Sequence, residues 1–206
     1  MNLTVNGVAH EVDSAPLSTL LHVLREELGI TSPKAGCEQG GCGACTVLVD
    51  GEPRRSCLTA VGAIDGAEVT TVEGLGTPEA LSPVQQAFTH HYAAQCGFCT
   101  SGMLVAAEAY VRGGGTDEPE AIQEALAGHV CRCTGYVKII DAVAAFARGE
   151  EFDLSTTAAP TTPRPSRRRW PGTCAAAPAT SRSSTRWPPR PGATRSTSAS
   201  PRPAPP

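Results

Sequence analysis

Apolar and polar positions alternate at the start of the chain, with Leu3, Val5, Val8 and Val12 apolar around an Asn6-Gly7 pair. Asn-Gly is a two-residue turn signal, so residues 2–13 predict a β-hairpin. The period then changes. Leu17, Leu20, Leu21, Leu24 and Leu28 recur at i, i+3, i+4, i+7 and i+11, one apolar stripe of a helix. Pro16 suits the first turn of that helix and Gly29 its C′ position. After a glycine-rich loop, Thr46-Val47-Leu48-Val49 predicts a strand that turns at Asp50-Gly51, and Ala67 to Val72 predicts another. Two hairpins around one helix make a small α+β domain over residues 1–76.

Helical periodicity dominates the next stretch, residues 77–153. Ser82-Pro83-Val84-Gln85 reads as a capping box with proline at N1, and Val84, Ala87, Phe88 and His91 share a face. A second helix is expected to begin near Ser101 and stop at Gly113-Gly114-Gly115. A third opens at Asp117-Glu118-Pro119-Glu120 and carries Ile122 and Leu126 on one side. A fourth runs from about Tyr136 to Arg148, with Tyr136, Ile140, Val143 and Ala147 in line. Four short helices with short connections predict a compact bundle.

From Ser155 onward the pattern stops. Those 52 residues use only Ser, Thr, Ala, Pro, Arg, Trp, Gly and Cys. Such a segment cannot bury enough apolar surface to offset its ordering entropy, so residues 154–206 are expected to be a disordered Pro/Arg/Ser/Ala-rich tail. All eight residue types have GC-rich codons, and out-of-frame translation of GC-rich DNA is one explanation that sequencing the gene region tests. Charge follows the same division. All 20 acidic residues lie at or before Asp153, with only 8 of the 17 basic ones, which leaves nine arginines and no acid in the tail. No folded motif accompanies those arginines, and no nucleic-acid partner is expected.

Eight of the nine cysteines form two quartets. Cys37, Cys42, Cys45 and Cys57 are separated by gaps of four, two and eleven residues. Three cysteines at those first two gaps, with a distant fourth, make the plant-type [2Fe–2S] spacing. A short loop must wrap the cluster, and Gly40, Gly41 and Gly43 let its backbone take positive φ and approach the sulfurs. The N–H groups so exposed are expected to hydrogen-bond sulfur. The competing reading is a zinc site with four cysteine ligands, though zinc sites favour paired knuckles of two cysteines each. A Rieske centre needs two histidines, and none of His10, His22, His90, His91 or His129 lies in this loop.

Cys96, Cys99, Cys131 and Cys133 make the second quartet, as Cys-Gly-Phe-Cys and Cys-Arg-Cys separated by 31 residues. Two antiparallel helices in the gap would bring the pairs together. Cys99 is placed at a helix start, where the dipole favours thiolate. Arg132 fits either a counter-charge to this site or a solvated surface arginine. The quartet by itself also fits a redox Cys-x-x-Cys or a zinc site. Cys174 stands apart from both quartets.

Three segments carry a resemblance: Cys-Glu-Gln-Gly-Gly-Cys-Gly-Ala-Cys-Thr-Val from Cys37, Gln95-Cys-Gly-Phe-Cys-Thr, and Cys-Arg-Cys-Thr-Gly-Tyr-Val-Lys-Ile-Ile from Cys131. In order and separation they resemble the small iron–sulfur subunit of molybdenum hydroxylases, the xanthine dehydrogenase, aldehyde oxidoreductase and carbon monoxide dehydrogenase family. The resemblance covers about residues 1–150. It implies a β-grasp ferredoxin-like domain followed by a four-helix domain, each with one [2Fe–2S] cluster. It also implies that the helical-domain cluster lies nearest the molybdopterin and the other nearest FAD, with Gln95 contacting the pterin and Cys133 the ligand closest to it. Ser101 stands where the family usually has proline, and His129-Val130 where it usually has Asn-Leu.

The resulting expectation is an electron-transfer subunit. It would relay electrons from a molybdopterin centre on a large subunit to FAD on a medium subunit, in a complex that is doubled. The chain has neither a GxGxxG nor a P-loop phosphate cradle, so no substrate site of its own is expected. A free ferredoxin-like carrier and a structural zinc-binding module are the alternatives. No apolar run approaches the roughly 18 residues of a membrane helix, and no signal peptide is recognised, so a cytoplasmic location is expected.

Overall fold

Why the first helix begins where it does is answered by the backbone before it. Gly62 N donates to Pro16 O at 2.8 Å, Val61 N to Ser18 O at 2.9 Å and Leu20 N to Thr59 O at 2.7 Å. Residues 16–18 are thus held in a turn, with Ser18 N donating to Ala15 O at 2.8 Å, and Thr19 bridges to Ala60, so the helix cannot start at Pro16. Thr19 caps it instead, its Oγ1 accepting from His22 N at 3.2 Å. Helix α1 is Leu20–His22, and a π-helical turn, Val23–Glu27, continues it with Leu28 N donating to Val23 O. Leu17, expected on the buried stripe, is 88% exposed. Gly29 does end the element, with φ +68°.

The computed structural model describes residues 1–154. The expected tail, its frameshift explanation and Cys174 lie outside them. Strands β1 (Asn2–Val5) and β2 (Val8–Glu11) form the expected hairpin, Asn6 and Gly7 both having positive φ. Val12 is buried, but Val8 faces outward on the edge strand. β3 (Thr46–Val49) and β4 (Glu52–Arg55) form the second hairpin through Asp50-Gly51. β5 is shorter than the Ala67–Val72 pattern and covers Glu68–Thr70. It ends because Thr71 N donates to the Asn6 side chain at 2.8 Å, and Val72 opens α2 (Val72–Leu75).

These strands make one mixed sheet in the order β2-β1-β5-β3-β4, parallel between β1 and β5 and antiparallel elsewhere. Leu3, Val5, Val47, Val49 and Val69 of the sheet bury against Leu20, Val23 and Leu24.

Helices α3 (Pro83–His90), α4 (Thr100–Arg112), α5 (Pro119–Ala125) and α6 (Val137–Ala147) follow. The capping box forms, Gln85 Oε1 accepting from Ser82 N at 2.8 Å. Val84, Ala87, Phe88, Met103, Ile122, Leu126 and Val143 share a second apolar core. The face of α6 differs from the expected line. Tyr136 lies before the helix at φ +67°, and Ile139, Ala142 and Val143 point inward while Ile140 packs at the flank. Among the described residues no helix is long and apolar enough to cross a membrane.

Candidate metal centres

Hairpin register builds half of the first site. Thr46 pairs with Arg55, so the residues just outside that pair are brought together. Ser56, fully buried, donates its hydroxyl to Cys45 O at 2.7 Å and its amide at 3.3 Å. Cys45 and Cys57 are therefore buried side by side, with their thiols in contact. Cys37 and Cys42 form a second, half-buried pair at the other end of the loop. Gly40 and Gly43 take positive φ as the glycine pattern requires, whereas Gly41 does not; Glu38 does, at +52°. The tight turn at Glu38 carries Gln39 N to within 3.4 Å of Cys37 Sγ, to which it donates.

Local charge follows from these contacts. The Gln39 amide, then the Cys42 thiol and amide, draw the Cys37 pKa down to about 7. Burial, then the Cys45 thiol, push Cys57 up to about 11.

The second site is assembled from two turns. Cys96 and Cys99 precede α4, and Cys99 is its N-cap residue without a side-chain cap hydrogen bond. Cys131 and Cys133 precede α6. Packing of the helices brings Cys96 Sγ to 3.3 Å from Cys133 Sγ, and Cys99 meets Cys131. The outer pair is exposed and the inner pair buried. Burial, then the Cys131 thiol, push Cys99 up to about 12. Burial opposes ionisation of Cys131 too, but the hydroxyl and amide of Thr134 outweigh it and lower the pKa. Thr134 Oγ1 is 3.1 Å and Thr134 N 3.4 Å from Cys131 Sγ. Arg132 and Gln95 are exposed, Gln95 beside Cys96.

Sequence reasoning missed the residues that fasten the Cys131 turn. Tyr136 Oη accepts from Cys131 N at 2.7 Å and donates to His129 O at 3.0 Å. Its αL backbone, unusual for a bulky residue, aims the ring back at the turn. A tyrosine was visible in the sequence, but its reach was not.

The two sites touch. Val130 N donates to Cys42 O at 2.9 Å, one residue from Cys131. Ser101 Oγ donates to Ser32 O at 2.6 Å, a bond that the proline usual at that position would not make. Helix α4 lies so close to the first loop that a Cβ on Gly102 would stand 2.2 Å from Gly43 O. His129, 6% exposed, fills the joint: a Cβ on Gly43 would be 2.5 Å from its ring. His129 Nε2 is 3.1 Å from Thr46 Oγ1 and 3.1 Å from Arg55 Nη1. Guanidinium can only donate, so Nε2 accepts and the ring proton resides on Nδ1. Burial, then the Arg55 charge, hold the His129 pKa near about 4, so the ring is neutral.

Among the described residues no three of His, Cys, Asp and Glu are arranged to hold a single metal ion. The thiols instead meet in pairs, two pairs to each quartet. Two sulfurs for each of two irons is the donor set of a [2Fe–2S] group, so the residues present fit that group.

Comparison with known proteins agrees. A family model described as "2Fe-2S iron-sulfur cluster binding domain" matches residues 3–71, and one described as "[2Fe-2S] binding domain" matches residues 71–144. The nicotine 6-hydroxylase small subunit of Paenarthrobacter nicotinovorans is 46% identical over 143 residues, 69% of this chain and 86% of that protein. The aldehyde oxidoreductase of Megalodesulfovibrio gigas is 43% identical over 144 residues, 68% of this chain but only 16% of that longer protein. A crystal structure of quinoline 2-oxidoreductase from Pseudomonas putida 86 has a chain 43% identical with TM-score 0.67, covering 74% of this chain and 97% of that one.

Proposed function

From a chain that belongs to the small [2Fe–2S] iron–sulfur subunits of the molybdenum hydroxylase family, we propose a relay. It takes electrons from a molybdopterin centre on a large subunit and delivers them to FAD on a medium subunit. Cys37, Cys42, Cys45 and Cys57 hold one [2Fe–2S] group, and Cys96, Cys99, Cys131 and Cys133 the other. When bound, each group supplies one-electron redox chemistry. The chain's residues do the rest: they bind, shield and connect.

The observation that carries this reading is the Val130 N–H to Cys42 O hydrogen bond of 2.9 Å. It joins the main chain of a first-quartet cysteine to the residue preceding Cys131, so a short bonded route links the quartets. The exposed pair Cys96 and Cys133, with Gln95 beside it, supports docking of the second site against the molybdopterin. Gln95 is then the pterin contact. The sheet order, with β1 and β5 parallel at its centre, supports a β-grasp domain over residues 1–76, and α3 to α6 a four-helix domain over 77–153. In this reading the chain has no substrate site of its own and works in the cytoplasm within a doubled three-subunit complex.

Anaerobic purification tests it. The expected product is red-brown, carries iron with acid-labile sulfide, gives two distinct [2Fe–2S] electron paramagnetic resonance signals on reduction, and elutes with molybdenum and flavin. Elution without either partner cofactor would make it a free carrier, and zinc in place of iron a structural module.

A further inference from the structure

One guanidinium reaches both cysteine loops. Arg55, half-buried at the end of β4, donates from Nε to Gly40 O at 3.4 Å, within the first loop. Its Nη2 donates to Gly128 O at 3.3 Å, within the segment leading to Cys131. Its Nη1 donates to Thr46 Oγ1 at 2.5 Å, next to Cys45, and to His129 Nε2 at 3.1 Å. Thr46 passes the connection on by donating to Gly43 O at 2.7 Å. The flat, five-donor fork of arginine suits such a divided set of acceptors, and a lysine ammonium does not reproduce it.

The charge has no local counterpart. Arg55 forms no ion pair with a carboxylate among the described residues. All its partners are neutral: two carbonyls, a hydroxyl and an imidazole whose Nε2 accepts. A full positive charge therefore sits where the two cysteine-bearing loops meet, at the joint that Gly43 and the His129 ring close from one side.

We propose that Arg55 is the positioning residue of the relay: it clamps the two loops together, and its uncompensated charge favours electron uptake at both quartets. The proposal rests on the two-cluster reading. Each arriving electron, whether from the molybdenum-bearing partner or from dithionite in a titration, adds one negative charge at a quartet. A cation held nearby stabilises that added charge through partly buried, weakly screened space. It acts more on the first site, whose loop and hairpin it belongs to.

The test uses the full chain in its purified complex, as wild type, Arg55→Met and Arg55→Lys. Wild type without iron would end the two-cluster reading itself, independently of Arg55. With iron present, redox titration followed by electron paramagnetic resonance reads the charge. R55M is expected to lower the potential of the first site by at least tenfold in its one-electron equilibrium, about 59 mV, and of the second by less. R55K keeps the charge and is expected to keep both potentials within threefold of wild type. Hydrogen exchange in the peptide spanning 126–131 reads the clamp. It is expected to quicken at least tenfold in both variants, because neither can bridge Gly40 and Gly128. Iron-loaded R55M with wild-type potentials and wild-type exchange overturns the proposal. Should R55M fail to load iron, R55K decides: faster exchange with retained potentials supports the clamp, and wild-type exchange overturns it.

Discussion

The first cysteine quartet is a product of local chain, and the second a product of packing. Cys37, Cys42 and Cys45 sit in one loop, and the register of a single hairpin sets Cys57 beside Cys45. The second quartet has no such local fastening between its halves. Cys96 and Cys99 lie in the turn before α4, Cys131 and Cys133 in the turn before α6. The turns meet through the packing of α4, α5 and α6 and through the bonds that tie Gly128 and Val130 to the first loop and its hairpin. Both sites bury one pair of thiols, but in different surroundings: Cys45 and Cys57 share a small separate cluster with Leu21. The second site buries Cys99 and Cys131 in the helical core itself, in one cluster with Met103, Leu126 and Ile139. A site made by local turns tolerates a weakened distant core; a site that is part of a core does not.

The strongest way to break this comparison is Met103→Ala. Met103 is fully buried in α4, one turn after Cys99. Truncating it is expected to cost about 3 kcal/mol through lost contacts and the cavity left behind. The second-site resonance should fade on mild warming while the first persists. Equal loss of both signals would show that the two sites fold as one unit and would dissolve the distinction.

Gly102→Ala probes the place where the distinction ends. The new methyl would meet Gly43 O at 2.2 Å, a contact with backbone rather than with a flexible side chain, so α4 and the first loop must separate. The expected cost is about 2 kcal/mol, a melting temperature lower by about 6 °C. Here both resonances should broaden together, because the strain falls on the joint. A change confined to one signal would mean that the loops are positioned independently.

How much of this was readable beforehand follows the same division. Hairpins set by Asn6-Gly7 and Asp50-Gly51, the capping box at Ser82, and α4 and α5 all have local signals, and they appear where those signals stand. The start of α1 was not readable, because Pro16 and Ser18 bond to Gly62 and Val61, far along the chain. The face of α6 was misread because Tyr136 adopts αL to reach Cys131, a demand of the site rather than of the helix. Cysteine spacing revealed two quartets whose thiols do pair within each group. It held no hint of Arg55 or of the neutral His129 between them, since an arginine in a strand has no spacing signature. The joint is a long-range contact, and single-residue patterns do not encode those.

The smallest expected effect belongs to the helical part alone. His91 follows α3, its Nε2 is buried without a hydrogen-bond partner, and its ring meets Phe152 edge-on with centroids 5.9 Å apart. Burial first, then the neighbouring His90, lower its pKa below the ordinary histidine value of 6.5; Asp141 of α6 and Glu150 pull the other way, and Arg148 adds to the lowering. The unfolded chain then takes up a proton at a higher pH than the folded one. Stability contributed by neutral His91 is therefore complete above pH 6.5 and is lost as pH falls through that value toward the lower folded pKa. Thermal unfolding followed from about pH 7.5 down to about pH 5.5 should show a declining midpoint, with a shallower decline in His91→Gln. Because His91 belongs to the α3–α6 side, protection of the β3–β4 hairpin against hydrogen exchange, corrected for the intrinsic pH dependence of amide exchange, should stay the same over that range while protection of α3 falls. A hairpin that loosens in step with α3 would tie the first site to the helical core after all, and the local origin of the first quartet would have to be given up.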